Sequence, residues 1–549
     1  MKTTLLLLLT TLCAAGTALP GTARAGTDIN PLAIRAHLGF LADDALQGRM
    51  TGTREYDIAA NYVAAQFEAI GLKPGMGRSY LQPVPYASAR LDIESADMSI
   101  ERQGIHVPLH WQRDFVMSAD RVRPHTVVRA PAVFVGYGIH APDQGHDDYA
   151  GIDARGKIVV VVSGAPKQVG PNERAHYSSS ATKARAAVAH GAVGYIGLRN
   201  SYQIGRTPWD EAVREAGLRP VMAWRDADGQ ASDHYPEIRG AASVSEAAAP
   251  ALFAGSAHSY EDLMRRQAAG EAMPSFPLTG NFRLSRRSRI ETVHIPNVIG
   301  VLPGSDPALR DEYVVYTGHL DHVGTGAPVD GDHIYNGAYD NAMGIALMIE
   351  AARVLAADPP RRSVLFIAVG GEERGLLGSD YYAHNPSVPI EQLVGLVNLD
   401  MPLFLYPLAS VIGFGAEHST MGPAIEAAVA EAGLFLAEDP LKDEVLFIRS
   451  DQYSFVKQGV PSVFLVPGFD SSDPAVDGKA EFFRFFGTHY HEPSDDLSRF
   501  VHWPSAVRFA RANVRIGRQI ANAEQRPRWN PGNFFGELYA TPATAAPGR

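Results

Sequence analysis

The sequence predicts an α/β protein, a sheet covered by helices, interrupted by a β-rich segment. Three observations lead there. From about Asn297 to Glu524, short apolar runs alternate with stretches of helical periodicity, the pattern of strands and helices layered on one sheet. Residues 86–135 instead alternate apolar and polar residues in short runs such as DIESADMSIERQG, as antiparallel strands joined by turns do. The 549 residues are 46% hydrophobic with a formal net charge of −11; that excludes a disordered chain and, at roughly 100–200 residues per domain, points to a few domains.

The first segment, MKTTLLLLLTTLCAAGTALPGTARAGTD, carries a Lys, a run of Leu and then small residues ending in Ala23-Arg24-Ala25. It reads as a signal peptide over residues 1–25, cut before Gly26. Its apolar run is shorter than the roughly 20 residues that span a bilayer, and no later segment reaches that length. The expectation is an exported chain, periplasmic or extracellular, with no stable membrane insertion. The single cysteine, Cys13, follows Leu12, where lipidation signals usually carry Gly, Ala or Ser. It leaves with the leader, which excludes thiol nucleophiles and Cys-ligated zinc from the mature chain. The acidic balance argues against nucleic acid as a partner.

From Asp57 to Leu72, Ile58, Tyr62, Val63, Phe67 and Ile70 recur at helical spacing and Gly71 supplies a stop. Buried strands are expected at Val133–Tyr137 and Lys157–Val162. The loop between them holds Asp147, Asp148 and Tyr149, and adjacent acids in a Gly-rich loop read as a solvated turn. ATKARAAVAHGAVGYIGL then reads as an Ala-rich helix stopped by Gly191, followed by a strand. In the C-terminal part, strands are expected at Tyr313–Thr317, Val364–Val369, Val394–Leu399 and Val463–Val466. A helix begins at Gly344, with Ile345, Met348, Ile349, Ala352 and Leu355 on one face. The last segment, 526–549, reads as a loosely attached tail.

Three of these strands end directly in polar residues: YVVYTGHLDH, SVLFIAVGGEE and LVGLVNLDM. Open α/β sheets place their sites at the carboxyl ends of strands, so His319, Asp321, Glu372, Glu373 and Asp400 converge there. NGAYDNAMG adds Asp340 just before a helix and GTHYHEPSDDL adds His491. Two divalent ions about 3.5–4 Å apart need a bridging carboxylate and terminal ligands on each side, and His319, Asp340, Glu373, Asp400 and His491 can supply them. Three carboxylates against two dications leave +1, which a bound hydroxide neutralises. Imidazole favours zinc, with Co2+ or Mn2+ as alternatives, over magnesium or calcium. Asp321, two residues after His319, is placed to accept the proton of that ring's far nitrogen. Glu372 and Glu373 point different ways on an extended end, so one can bind metal while the other faces the water as general base.

GHLDHVG, YNGAYDNAMGIALMIEAARVL, VLFIAVGGEERGLLGSDYY, LVNLDMP, FIRSDQYSFVKQGVPSVFL and THYHEPSDDLSRF, in this order, resemble the M28 family of zinc exopeptidases. The segment around 131–198 resembles the protease-associated domain, a β-rich module that suggests gating or interaction. The resemblance implies a mixed, mostly parallel sheet flanked by helices, with a peptidase domain split over 26–118 and 288–525 around an insert at 119–287. It implies that two Zn2+ are held by His319, Asp340 and Asp400 and by Asp340, Glu373 and His491. Glu372 would then be the general base, Asp321 would orient His319, and peptides would be the substrates. The family pattern selects His491 over its runner-up, His489, because His491 precedes the xPSD sequence. Removal of residues from free N-termini is the leading reading. A carboxypeptidase would need a cation such as Arg449, Arg374 or Lys442 near the metals; glutaminyl cyclases share the fold but use one metal; an inactive receptor-like ectodomain would have lost ligands, and none is missing. The family often has an acid at Tyr339, Ser or Gly at Met343, a Tyr where Phe447 and Ile448 stand, and a His at Gln452. That leaves Arg449 or Tyr453 as candidates to polarise the carbonyl.

Overall fold

The structure is a computed structural model that describes residues 28–214, 216–442, 444 and 446–545; the leader and Cys13 lie outside the described residues. Tyr313–His319 sits in the middle of the C-terminal half of the sheet, parallel to Ser363–Val369 on one side and to Leu393–Asn398 on the other, with Ser462–Pro467 parallel beyond. These are the expected strands, and they are buried on both faces, as near-continuous apolar runs in parallel sheets are. Their side chains alternate between two cores. Val314, Tyr316, Val364 and Phe366 face one layer, with helices Arg54–Ile70, Met343–Ala357 and Trp503–Asn522; Val315, Leu365 and Ile367 face the other, with Tyr382 and Phe455. Thr53 accepts the N–H of Tyr56 and Gly71, at φ 90°, closes the first of these helices. Its buried face runs through Tyr56, Val63 and Phe67, which leaves Ile58 exposed.

The region expected to hold short strands is built differently. Leu81–Arg102 is one continuous strand, paired antiparallel along most of its length with Ser275–Leu302. One end of Ser275–Leu302 pairs with Ser363–Val369 and the other with His125–Val135, so this ribbon carries the sheet from one half into the other. Beyond it, Ile158–Val162, Gly194–Leu198 and Ala241–Val244 continue in parallel. A second core there draws on Ala89, Met98, Ile100 and Phe115, residues the sequence boundaries assign to the peptidase part. The two halves therefore share the ribbon rather than meeting at residue 119. Within the described residues of the tail, packing is close: Trp529 and Phe535 are buried against Phe447 and Phe464, and the Trp529 indole N–H donates to the Gly459 carbonyl at 3.0 Å. Asp148, expected in a solvated turn, is buried as well. Among the described residues no helix is long and apolar enough to cross a membrane.

Candidate metal centre

Tyr313–His319 ends in His319, Ser363–Val369 runs through two glycines into the turn Glu372–Arg374, and Leu393–Asn398 leads to Asp400. His319 Nε2 lies 3.2 Å from Asp400 Oδ1 and 3.2 Å from Asp340 Oδ1. Asp340 arrives from the turn before the helix Met343–Ala357. That turn requires Gly337, at φ 60°, because a Cβ there would stand 2.1 Å from the Asp340 carbonyl oxygen and 2.5 Å from the His322 ring. The other Asp340 oxygen, Oδ2, is 3.1 Å from His491 Nε2, which is 3.2 Å from Glu373 Oε2. Each oxygen of Asp340 thus faces a different group of donors. His322, absent from the sequence-derived set, joins the second group with Nδ1 2.9 Å from Glu373 Oε1. The two groups are His319, Asp340 and Asp400, and His322, Asp340, Glu373 and His491.

These approaches fit metal ligands. Donors held at about 2.0 Å from a tetrahedral ion stand about 3.3 Å from one another, close to the separations of 3.1 and 3.2 Å found here. Both ring nitrogens of His322, Nε2 of His491 and Oε1 of Glu373 are buried atoms that make no aligned hydrogen bond despite the close approaches among them, a condition native interiors rarely tolerate unless an ion or water completes it. Burial opposes a charge on His491, but Asp340 and Glu373 outweigh it and push the imidazole up to about 10. Burial and Asp340 would raise Glu373, yet His322 and His491 bring it down to about 2. Imidazole mixed with carboxylate suits zinc.

Surrounding groups hold the donors in place. Arg49, buried, donates to the carbonyls of Leu320, Asn336 and Gly337 at 3.0, 2.7 and 3.1 Å, and also to that of Leu41. It thereby ties the His319 strand end to the Asp340 turn. The Asp495 carboxylate accepts the N–H groups of Tyr339 and Asp340 at 3.0 and 3.1 Å, and Ser450 donates to Asp400 at 2.5 Å. The expected contact of the Asp321 carboxylate with His319 is not formed. His319 Nδ1 instead meets the Asp321 backbone carbonyl at 3.1 Å, while the carboxylate accepts the Thr51 hydroxyl at 2.6 Å and the Glu372 N–H at 3.2 Å. The chain leaves the strand after His319, so side chains two apart no longer share a side. Asp321 positions the Glu372 turn instead. Glu372 belongs to neither donor group; burial, with Glu373 and Asp400 adding, raises its carboxyl well above the usual range.

The remaining candidates fall outside the donor groups. His489 faces Ser494 at 2.8 Å and Arg499 at 3.2 Å. Arg449 and Lys442 are more than half exposed and pair with Glu444 and Glu438. The Tyr453 hydroxyl lies 3.5 Å from His176 and from the Tyr539 hydroxyl, Phe447 packs on His418 and Phe535, and Gln452 donates to the Phe447 carbonyl. Of the groups sequence reasoning missed, His322 sits in the same GHLDHVG motif as His319, a second imidazole that strict alternation would send to the far side. Arg49 is distant in sequence and has no local signal.

The structure thus combines a mostly parallel α/β sheet with two adjoining groups of candidate metal ligands at its strand ends. Residues 297–516 match the model of Peptidase family M28. A probable zinc metalloprotease of Pyrenophora teres f. teres is 36% identical over 109 residues, which is 20% of this chain and 23% of that protein. Another, of Pyricularia oryzae, is 28% identical over 279 residues, 43% of this chain and 52% of that protein. The chain thus spans between about a quarter and a half of these relatives. An aminopeptidase from Aneurinibacillus sp. strain AM-1 shares the fold with TM-score 0.52 and 19% identity, over 90% of this chain and 94% of that one.

Proposed function

We propose that this protein is an exported, two-zinc aminopeptidase that removes residues from the free N-termini of peptides. The observation that carries the reading is Asp340, whose two oxygens each face a separate group of imidazole and carboxylate donors. His319 and Asp400 would hold one ion with Asp340; Glu373 and His491 would hold the other, with His322 beside them. Bound there, the ions would supply Lewis acidity toward the scissile carbonyl and a shared water. Glu372, outside both groups and disposed by its surroundings to take a proton, receives one from the attacking water and returns it to the leaving amine. Asp321 fixes the Glu372 turn through its backbone N–H. Export rests on the leader-like residues 1–25. The segment beyond the ribbon is read as a protease-associated module that limits access, since Tyr202 donates to Glu444 across to the peptidase half at 2.5 Å.

The aminopeptidase reading is favoured over carboxypeptidase because two of the three candidate cations, Arg449 and Lys442, are spent on surface acids; the third, Arg374, stands in the Glu372–Arg374 turn. Purified protein assayed on aminoacyl-nitroanilides and on N-blocked peptides, with and without a chelator, tests both. Chelator-sensitive cleavage of the free-amine substrates is expected. Cleavage confined to N-blocked peptides, and lost in Arg374→Gln, would point to the carboxypeptidase.

A further inference from the structure

The neighbouring acids Asp147 and Asp148 have different surroundings. Asp148, buried at 7% exposure, accepts the N–H groups of Tyr137 and Ile139 at 3.0 Å each and pairs with His146 at 3.1 Å. Asp147 lies opposite His140 in the short pairing of His140–Ala141 with His146–Asp147, its Oδ1 3.0 Å from His140 Nδ1. His190, which ends the helix Ser180–Ala189, brings a second imidazole to the same place, its ring 4.7 Å from that of His140 and edge to face with it. One donor atom from each of His140, Asp147 and His190 lies within 4.8 Å of the others.

We propose that His140, Asp147 and His190 form an additional transition-metal site, for zinc or a chemically similar divalent ion, independent of the centre at the strand ends. Two imidazoles and a carboxylate with one position left open match the composition of three-ligand zinc sites, and imidazole selects against calcium and magnesium. The donors are oriented from behind, as ligands in metal sites are. Asp147 Oδ1 accepts the Tyr149 N–H at 3.0 Å, and the His190 ring stacks on Tyr149 at 4.2 Å and 5°. Tyr149 is itself buried in a small core with Val133, Val159, Val161 and Ala187. His140 Nδ1 and Asp147 Oδ1 already stand near ligand spacing, so seating an ion asks His190 and that pair to close on one another. The ion would clip the hairpin to the end of the helix.

The test is zinc stoichiometry of the chelator-treated full chain, for wild type and for His140→Gln with His190→Phe, where Phe keeps the stacking on Tyr149. The double variant is expected to bind one ion fewer than wild type and to keep its peptidase activity. A fall from three to two supports both centres, and a fall from one to zero supports this site while sinking the two-zinc reading. Equal numbers would overturn the proposal. A second measurement needs no variant: diethylpyrocarbonate labelling of His140 and His190, mapped by mass spectrometry, should drop at least several-fold with Zn2+ but not with Mg2+. Labelling unaffected by Zn2+ would also overturn it.

Discussion

The ribbon divides one sheet into two halves that are built alike and equipped differently. Both contain runs of parallel strands. In one half the strands lead into His319, Glu372 with Glu373, and Asp400; in the other, Ile158–Val162, Gly194–Leu198 and Ala241–Val244 are followed by Ser163, Arg199 and Ser245. Strand ends offer a place for a site, and the residues that follow decide whether chemistry occurs there. The donor cluster of the insert sits instead on a hairpin and a helix end, part-exposed and spread over as much as 4.8 Å. Most of the strand-end donor side chains are buried, His491 being the part-exposed one, and their closest pairs stand near ligand spacing. Rigid neighbouring strands hold several side chains in register at once, which a hairpin and a helix end do less tightly.

If the strand-end donors act as one unit, removing the shared carboxylate should have the largest effect. Asp340→Asn is expected to lose both ions and to reduce peptide hydrolysis to background, read by metal analysis and nitroanilide assay together. Arg49→Met should come next. It strands several buried carbonyls at about 1–3 kcal/mol each, so urea denaturation should show a loss of several kcal/mol. His322→Gln tests whether the sixth residue belongs to the centre. Groups that support a metal site typically change affinity by about 10–100-fold, and zinc titration should show a weakening of that order for one ion only. The smallest effect concerns the contact between the halves, where His176 meets Tyr453, Tyr539 and Phe534. Burial, aided by Arg185, pushes His176 down to about 4. The folded ring therefore protonates less readily than the unfolded one, so its contribution is complete above pH 6.5 and is lost as the pH falls through about 4. Between pH 7 and 4.5, wild type should lose a few °C more in Tm than His176→Phe.

Much of the peptidase half was legible in the sequence because its strands are short apolar runs buried on both faces and its ligands stand directly after them. Tyr313–His319 and Ser363–Val369 needed no knowledge of the rest of the chain. The ribbon was not legible: Leu81–Arg102 has solvent-facing polar residues and several pairing partners along its length, and local alternation cannot tell one long strand from several. Trp529 and Phe535 gave no signal either, since their burial depends on Phe447 and His418, far away in sequence. The role of Asp321 was misjudged for a local reason, the turn of the chain after His319.

The central claim, that Glu372 moves the proton while other residues hold the metals, is tested most directly by Glu372→Gln measured for zinc content and aminoacyl-nitroanilide hydrolysis in one preparation. Because Glu372 lies outside both donor groups, the variant should keep both ions and lose roughly 10²–10⁴-fold in kcat, the usual worth of a general base. A variant that keeps both ions and hydrolyses within a few-fold of wild type would contradict it.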